Sequence, residues 1–207
     1  MMTQTLSKTK NLSTNGMIKI ALLSVIAFVL MQIEFSIPIF PFFLKLDISD
    51  IPAILGGLAL GPVSGILVLL FKNILNCLVS TTGYVGELAN FSIGAFYIFT
   101  ASIIYKRFKS TKSLIIGLAL GTVAMSLAAG VLNYYIFIPA FSKIFGMPIS
   151  GFVSVSAAIN GKVNSFKALI YWMIIPFNLF KGLIVSTAYM LLHKRVAPII
   201  NKKAFRK

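Results

Sequence analysis

Asn178 and Lys181 lie three residues apart in Pro176-Phe177-Asn178-Leu179-Phe180-Lys181, which puts an amide and an ammonium on one helical face of an apolar run. A lysine at the centre of a membrane helix costs roughly 2.5–3.5 kcal/mol, and an amide at that depth needs partners of its own. Polar groups placed at that cost hold a small, polar-edged molecule in a membrane-embedded pocket. The alternative is structural: the lysine snorkels to the interface and the amide bonds between helices.

Asn133, in Leu132-Asn133-Tyr134-Tyr135, is the other polar side chain deep in the last two apolar segments. Those segments run antiparallel, so Asn133 faces Asn178 and Lys181 from the opposite wall. Glu87 and Asn90 share one face at the start of a further helix, where a carboxylate either meets a ligand or answers the helix dipole. Lys72, Asn73 and Asn76 read as interfacial polar residues at a helix end. No Walker A sequence, zinc-protease motif, nucleophile elbow or cysteine–histidine cluster occurs. Cys77 is the single cysteine, and His193 stands alone beside Lys194-Arg195 as a helix-end residue, so neither a metal site nor a catalytic residue is expected. No acid falls in the middle of a span, which disfavours a self-contained proton pump.

The elements that position these groups follow from composition. The 207 residues are 58% hydrophobic and 11% charged, against about 25% charged in soluble domains. That excludes a water-soluble globule and predicts an all-α integral membrane bundle of six short spans, each needing roughly 20 apolar residues. The formal charge of +15 does not signal nucleic acid, because the cations cluster where apolar runs end.

The first span is expected over about Met17–Ile33 and is retained rather than cleaved as a signal peptide. A stretch studded with Pro38 and Pro41 follows and cannot be regular helix. Asp47, Ser49 and Asp50 offer N-caps to a short second helix over Ile51–Leu60, and Gly61-Pro62 turns the chain into a third over Val63–Val79. The remaining spans are Glu87–Tyr105, Ser113–Phe141 and Ala168–Leu192. Gly57, Gly61 and Gly65 are spaced for close packing around that bend. Six crossings put three basic clusters on one side: Lys8, Lys10 and Lys19; Lys106, Arg107, Lys109 and Lys112; and the tail from Lys194 to Lys207. Both termini are then cytoplasmic, while Glu34, Asp47, Asp50 and Glu87 fall at the outer side. The expected organisation is a cytoplasmic tail over residues 1–16, a membrane domain over 17–196 with an outer lid loop at about 34–50, and a basic tail over 197–207.

Several stretches, in order, resemble the riboflavin-specific substrate-binding (S) component of energy-coupling factor (ECF) transporters. They are Phe40-Pro41, Leu46-Asp47-Ile48-Ser49-Asp50-Ile51-Pro52-Ala53, Gly61-Pro62, Lys72-Asn73, Gly86-Glu87-Leu88-Ala89-Asn90-Phe91, Asn133-Tyr134-Tyr135 and Pro176 to Gly182. The resemblance implies a six-helix fold in a bacterial cell membrane that binds riboflavin, with FMN as a further candidate, under the loop between the first two helices. It implies that Asn133, Asn178 and Lys181 bond the polar edge of the isoalloxazine and that Leu44 and Lys45 line the lid. Glu87 would be a ribityl or lid contact, and Asp47 and Asn90 complete the ligand-binding candidates. Riboflavin is cargo here, and no cofactor is implied. The implied partners are a transmembrane coupling protein and two cytoplasmic ABC-type ATPases. Docking in the family often uses an A-x-x-x-A patch on the first helix; this sequence departs from it, with Val25 after Ala21 and Met31 after Ala27, and offers the small patch Ala21, Ser24 and Ala27 instead, for a partner or for a neighbour within the bundle.

The competing readings are an S component for another vitamin, a membrane enzyme acting on a lipid-linked substrate through Glu87 with Asp47 or Asp50, and a purely structural membrane partner. A cationic vitamin such as thiamin wants a deep acid where this chain has Lys181, whereas the anion pantothenate suits the lysine but makes little use of 18 Phe, 7 Tyr and 1 Trp.

Overall fold

The computed structural model describes residues 13–200, with side chains through His193. Lys8, Lys10, Lys202, Lys203, Arg206 and Lys207, which carry much of the expected charge pattern, lie outside the described residues.

Helix α1 (Thr14–Met31) starts where the Ser13 side chain accepts from the Gly16 amide at 3.3 Å. Two short strands follow, β1 (Phe35–Ser36) and β2 (Lys45–Leu46), paired antiparallel with Phe35 opposite Leu46. The proline-rich stretch is therefore a hairpin, closed by turn bonds from Phe40 to Ile37 and from Leu44 to Pro41, each 2.9 Å. Helices α2 (Asp50–Leu60) and α3 (Pro62–Asn76) pack against each other across Gly61, whose φ of 111° suits glycine. A Cβ on Gly65 would lie 2.7 Å from the Ala53 carbonyl oxygen and 2.7 Å from Gly57 Cα, so the glycine spacing does serve close packing around the bend.

Helix α4 (Val85–Phe108) ends at Lys109 in a left-handed conformation, and α5 (Thr111–Leu132) begins with a reciprocal cap between Ser110 and Ser113. Beyond α5 the chain passes through a π-helical segment, Asn133–Phe137, into α6 (Ile138–Phe145). Helix α7 (Ile149–Ile159) lies between the expected spans Ser113–Phe141 and Ala168–Leu192. Its Phe152 and Ser156 turn inward, one helical turn apart. The last span opens with α8 (Phe166–Leu169), crosses a second π-helical segment, Ile170–Ile174, and continues as α9 (Ile175–Ile200).

Among the described residues, five helical stretches are long and apolar enough to cross a bilayer: 14–31, 62–79, 85–108, 111–145 and 166–193. Helix α2, with 11 residues, is about 16 Å long at 1.5 Å per residue and falls short of a hydrocarbon core of about 30 Å. The helical stretches carry large apolar side chains on their exterior, with Leu22, Val63, Phe99, Val131 and Leu183 exposed, as lipid-facing surfaces require. The interior holds one apolar core around Ala53, Ile54, Val68, Tyr97, Ile98 and Val185. A second cluster beneath the hairpin joins Phe40, Ile138, Phe152, Leu169, Met173 and Phe177.

The small-residue patch of α1 is divided. Ser24 and Ala27 are buried within the bundle, Ser24 donating to the Ile20 carbonyl at 2.8 Å, whereas Ala21 stays on the exposed side. His193 ends its span with the ring 2.8 Å from the Tyr189 hydroxyl.

Candidate functional site

The hairpin sits over one end of the bundle as a lid, held by aromatic and ionic contacts. Phe40 meets Phe177 edge-on, with centroids 5.2 Å apart. Phe43 meets Phe152 of α7 in the same manner, also at 5.2 Å. The ionic contact joins the lid to the last span: Lys181 Nζ donates to Asp47 Oδ2 at 2.8 Å. Across the hairpin, exposed Lys45 pairs with Glu34.

Under the lid lie two adjoining cavities. The outer one, about 690 Å³, is lined by Phe42, Lys45, Asp47, Asn76, Glu87 and Asn90 among others. The inner one, about 140 Å³, takes its walls from Leu44, Asn90, Asn133, Phe177, Asn178 and Lys181. Phe43, Lys45, Gly86, Asn90 and Phe141 belong to both, so the two spaces are contiguous. The larger volume lies within the roughly 300–1,000 Å³ of small-molecule pockets. All eight residues expected to touch ligand (Leu44, Lys45, Asp47, Glu87, Asn90, Asn133, Asn178 and Lys181) line one cavity or the other.

The two π segments position the deep amides. Asn133 opens the first, and Asn178 lies four residues beyond the end of the second. Each spends one side-chain N–H on the carbonyl one turn back, Asn133 on Ala129 and Asn178 on Ile174, both at 2.9 Å. Among the described residues this is the only hydrogen bond either side chain makes, which leaves one N–H and the acceptor Oδ1 of each amide for a ligand. Single-turn π insertions recur at functional sites because they re-aim the side chains that flank them.

Lys181 does not stand alone in the apolar interior. Besides Asp47, it lies 3.6 Å from Asp50 Oδ2. Asp50 in turn accepts from Lys72 Nζ at 2.6 Å, and Lys72 also donates to Ser49 Oγ at 2.5 Å. Ser49 closes the circuit by donating its hydroxyl to Asp47 Oδ1, which also accepts the Ser49 amide at 2.9 Å. Lys72 is therefore fully buried rather than interfacial, and Asn73 beside it is 4% exposed. Ser49, one of the expected N-caps, does occupy the cap position of α2 but makes no side-chain cap bond, its hydroxyl donating to Asp47 instead. Burial alone would raise the Asp47 carboxyl, but the Lys181 and Lys72 charges and the bonds from Lys181 and Ser49 outweigh it and hold the group well below the usual carboxylate range.

Glu87, 4% exposed, accepts from Asn76 Nδ2 at 2.8 Å, Ser80 Oγ at 3.0 Å and Thr82 Oγ1 at 2.8 Å. Asn90, one turn further, accepts from Asn73 Nδ2 at 3.2 Å. Sequence reasoning missed the Lys72–Asp50 pair and the aromatic walls Phe43, Phe141 and Phe177. A lysine 22 residues from an acid carries no pairing signal in one sequence, and single phenylalanines among eighteen carry none either.

Residues 15–193 match the family described as "ECF transporter, substrate-specific component". The chain is 42% identical over 186 residues to the "Riboflavin transporter RibU" of Staphylococcus aureus (strain TCH60), covering 90% of this chain and 92% of that protein. It is 34% identical over 190 residues to the "Riboflavin transporter FmnP" of Bacillus subtilis (strain 168), covering 90% and 94%. A solved structure described as the S component of a bacterial ECF transporter superposes with a TM-score of 0.71 at 41% identity, covering 89% of this chain and 96% of that one.

Proposed function

The chain belongs to the substrate-specific components of ECF transporters, and from that premise we propose that it captures riboflavin in the cavity beneath its lid and releases it inward with an ATPase-driven partner module. The observation that carries this reading is the meeting of Asn133, Asn178 and Lys181 in the inner cavity, walled by Phe43, Phe141 and Phe177. An isoalloxazine is a flat, largely apolar ring system whose imide edge alternates carbonyl, N–H and carbonyl. The acceptor and donor left on each amide complement that edge, and one N–H of Lys181 beyond those facing Asp47 and Asp50 serves a carbonyl. The ribityl chain then extends into the outer cavity toward Glu87 and Asn90.

In this reading the lid faces the outside of a bacterial cell, the α4–α5 connection with Lys106, Arg107, Lys109 and Lys112 faces the cytoplasm, and the short α2, entered from the buried Asp47–Asp50 end of the lid, completes a sixth crossing that puts both termini on the cytoplasmic side. The partners are a transmembrane coupling protein and two cytoplasmic ATPases. In this reading the chain is a transporter, and its buried acids serve structure and ligand binding: Asp47 and Asp50 are held by lysines, and Glu87 by three neutral donors.

The pantothenate reading loses its main support. It relied on Lys181 as an uncompensated cation, and that charge is met by Asp47 at 2.8 Å. Titrating the detergent-purified protein with riboflavin, thiamin and pantothenate separates the readings. Saturable quenching of riboflavin fluorescence, with no competition from the other two, is expected; absence of quenching, or competition by pantothenate, overturns the assignment.

A further inference from the structure

We propose that Lys72, which lines neither cavity, is a positioning residue for the ligand site: by neutralising Asp50 it keeps the Lys181 ammonium on Asp47 and directed to the inner cavity. This inference rests on the riboflavin reading above and adds a residue to its machinery.

The argument begins with the circuit of contacts. Lys72 donates to Asp50 Oδ1, Asp50 Oδ2 faces Lys181, Lys181 donates to Asp47 Oδ2, Asp47 Oδ1 accepts from Ser49, and Ser49 Oγ accepts from Lys72. Two cations and two anions alternate around this ring, so its formal charge is zero. It joins the lid, the start of α2, the middle of α3 and the last span. Each charged side chain is at most 8% exposed, and that of Lys72 is at 0%. In such surroundings a charge without a partner is strongly unfavourable, so charge balance governs where each ammonium sits.

Without Lys72, two carboxylates compete for one ammonium. Lys181 is only 3.6 Å from Asp50 already, so it moves into that gap and leaves the position from which it meets a ligand carbonyl. The ring also becomes a net anion beside the electron-rich carbonyl edge of the flavin. Both changes weaken binding without removing any atom that touches ligand. The arrangement explains why a lysine is buried completely at a place where a leucine or methionine would fill the same space.

The experiment is a charge-rescue cycle read by riboflavin fluorescence quenching in detergent, on the full chain. Lys72→Met is expected to raise Kd roughly tenfold or more, and the double variant Asp50→Asn with Lys72→Met to bring it back within about threefold of the unsubstituted protein. A packing role for Lys72 would not be rescued, because the second substitution would add a second defect. If Lys72→Met alone does not fold, recovery of folded, riboflavin-binding protein in the double variant supports the proposal, and a double variant that folds but stays roughly tenfold weak overturns it. Unchanged affinity in Lys72→Met also overturns it. Failure of the unsubstituted protein to quench riboflavin overturns the riboflavin assignment itself, and the positioning role with it; quenching by the unsubstituted protein with no rescue removes the positioning role alone.

Discussion

Asp47 and Lys181, 134 residues apart in the chain, meet at 2.8 Å where the lid closes on the last span. This contact ties a loop to the lysine proposed to address the ligand, so in that reading lid closure and the placement of Lys181 are one event. Asp47→Asn keeps a polar side chain that accepts from Ser49 and loses the charge. Weakening of about 1.5–3 kcal/mol is expected, the range for hydrogen bonds to charged groups. Stopped-flow quenching should place the change in the dissociation rate, since the lid must open for release; an unaltered dissociation rate would show that the latch does not hold the ligand in.

The same pair fixes the pH response. The Asp47 carboxyl is lowered in the folded state from its ordinary value of 3.8. As pH falls, the unfolded chain therefore takes up this proton first. The stabilisation from Asp47 is complete above the ordinary value and is lost as pH drops below it toward the folded one. Melting curves should consequently show the full contribution of this group, with no pH dependence, between about pH 5 and 8, and a loss beginning below about pH 4 that is absent in Asp47→Asn. A slope near neutral pH abolished by Asp47→Asn would contradict the assignment.

The deep amides make a separate prediction. Asn133→Ala and Asn178→Ala should each weaken riboflavin by about 1–3 kcal/mol, the cost of leaving a buried polar group of the ligand unmatched. If both meet the same imide edge, as proposed, the double variant should lose less than the sum of the two. Isothermal titration of the three variants tests this; strict additivity would place the two amides on separate parts of the ligand.

How far the sequence was legible depends on the range of the signal. Asn178 and Lys181 are neighbours on one helix, so their shared face and their burial follow from spacing and apolar context alone. Gly61-Pro62 likewise declares its turn locally. The π segments are not legible, because Asn133-Tyr134-Tyr135 and Ile170-Tyr171-Trp172 have no composition that separates them from ordinary helix. Helix α7 hid inside a stretch short for a span and rich in serine. The ring was the largest omission. Lys72 reads as a helix-end lysine until the fold brings the start of α2 beside it, and only then does its burial make electrostatic sense. The inward turn of Ser24 and Ala27 is of the same kind, since both faces of α1 are apolar.

The outer cavity bears on phosphorylated flavins. With the ring edge on Asn133 and Asn178, a phosphate at the end of the ribityl chain lies in the outer cavity, whose charged lining is Glu34, Lys45, Asp47 and Glu87. Lys45 is matched by Glu34 and Asp47 by Lys181, which leaves Glu87, held by neutral donors only. A second anion near a buried carboxylate is repelled, and at short range in a partly dry site the effect is about 1–2 kcal/mol. FMN should therefore bind roughly tenfold more weakly than riboflavin. Glu87→Gln removes the charge, so it should narrow that gap even though riboflavin itself loses any charge-assisted bond its ribityl chain makes to Glu87. Competition titrations of both ligands against both proteins decide the matter, and a gap that persists unchanged in Glu87→Gln would mean that steric closure by the lid, not charge, excludes the phosphate.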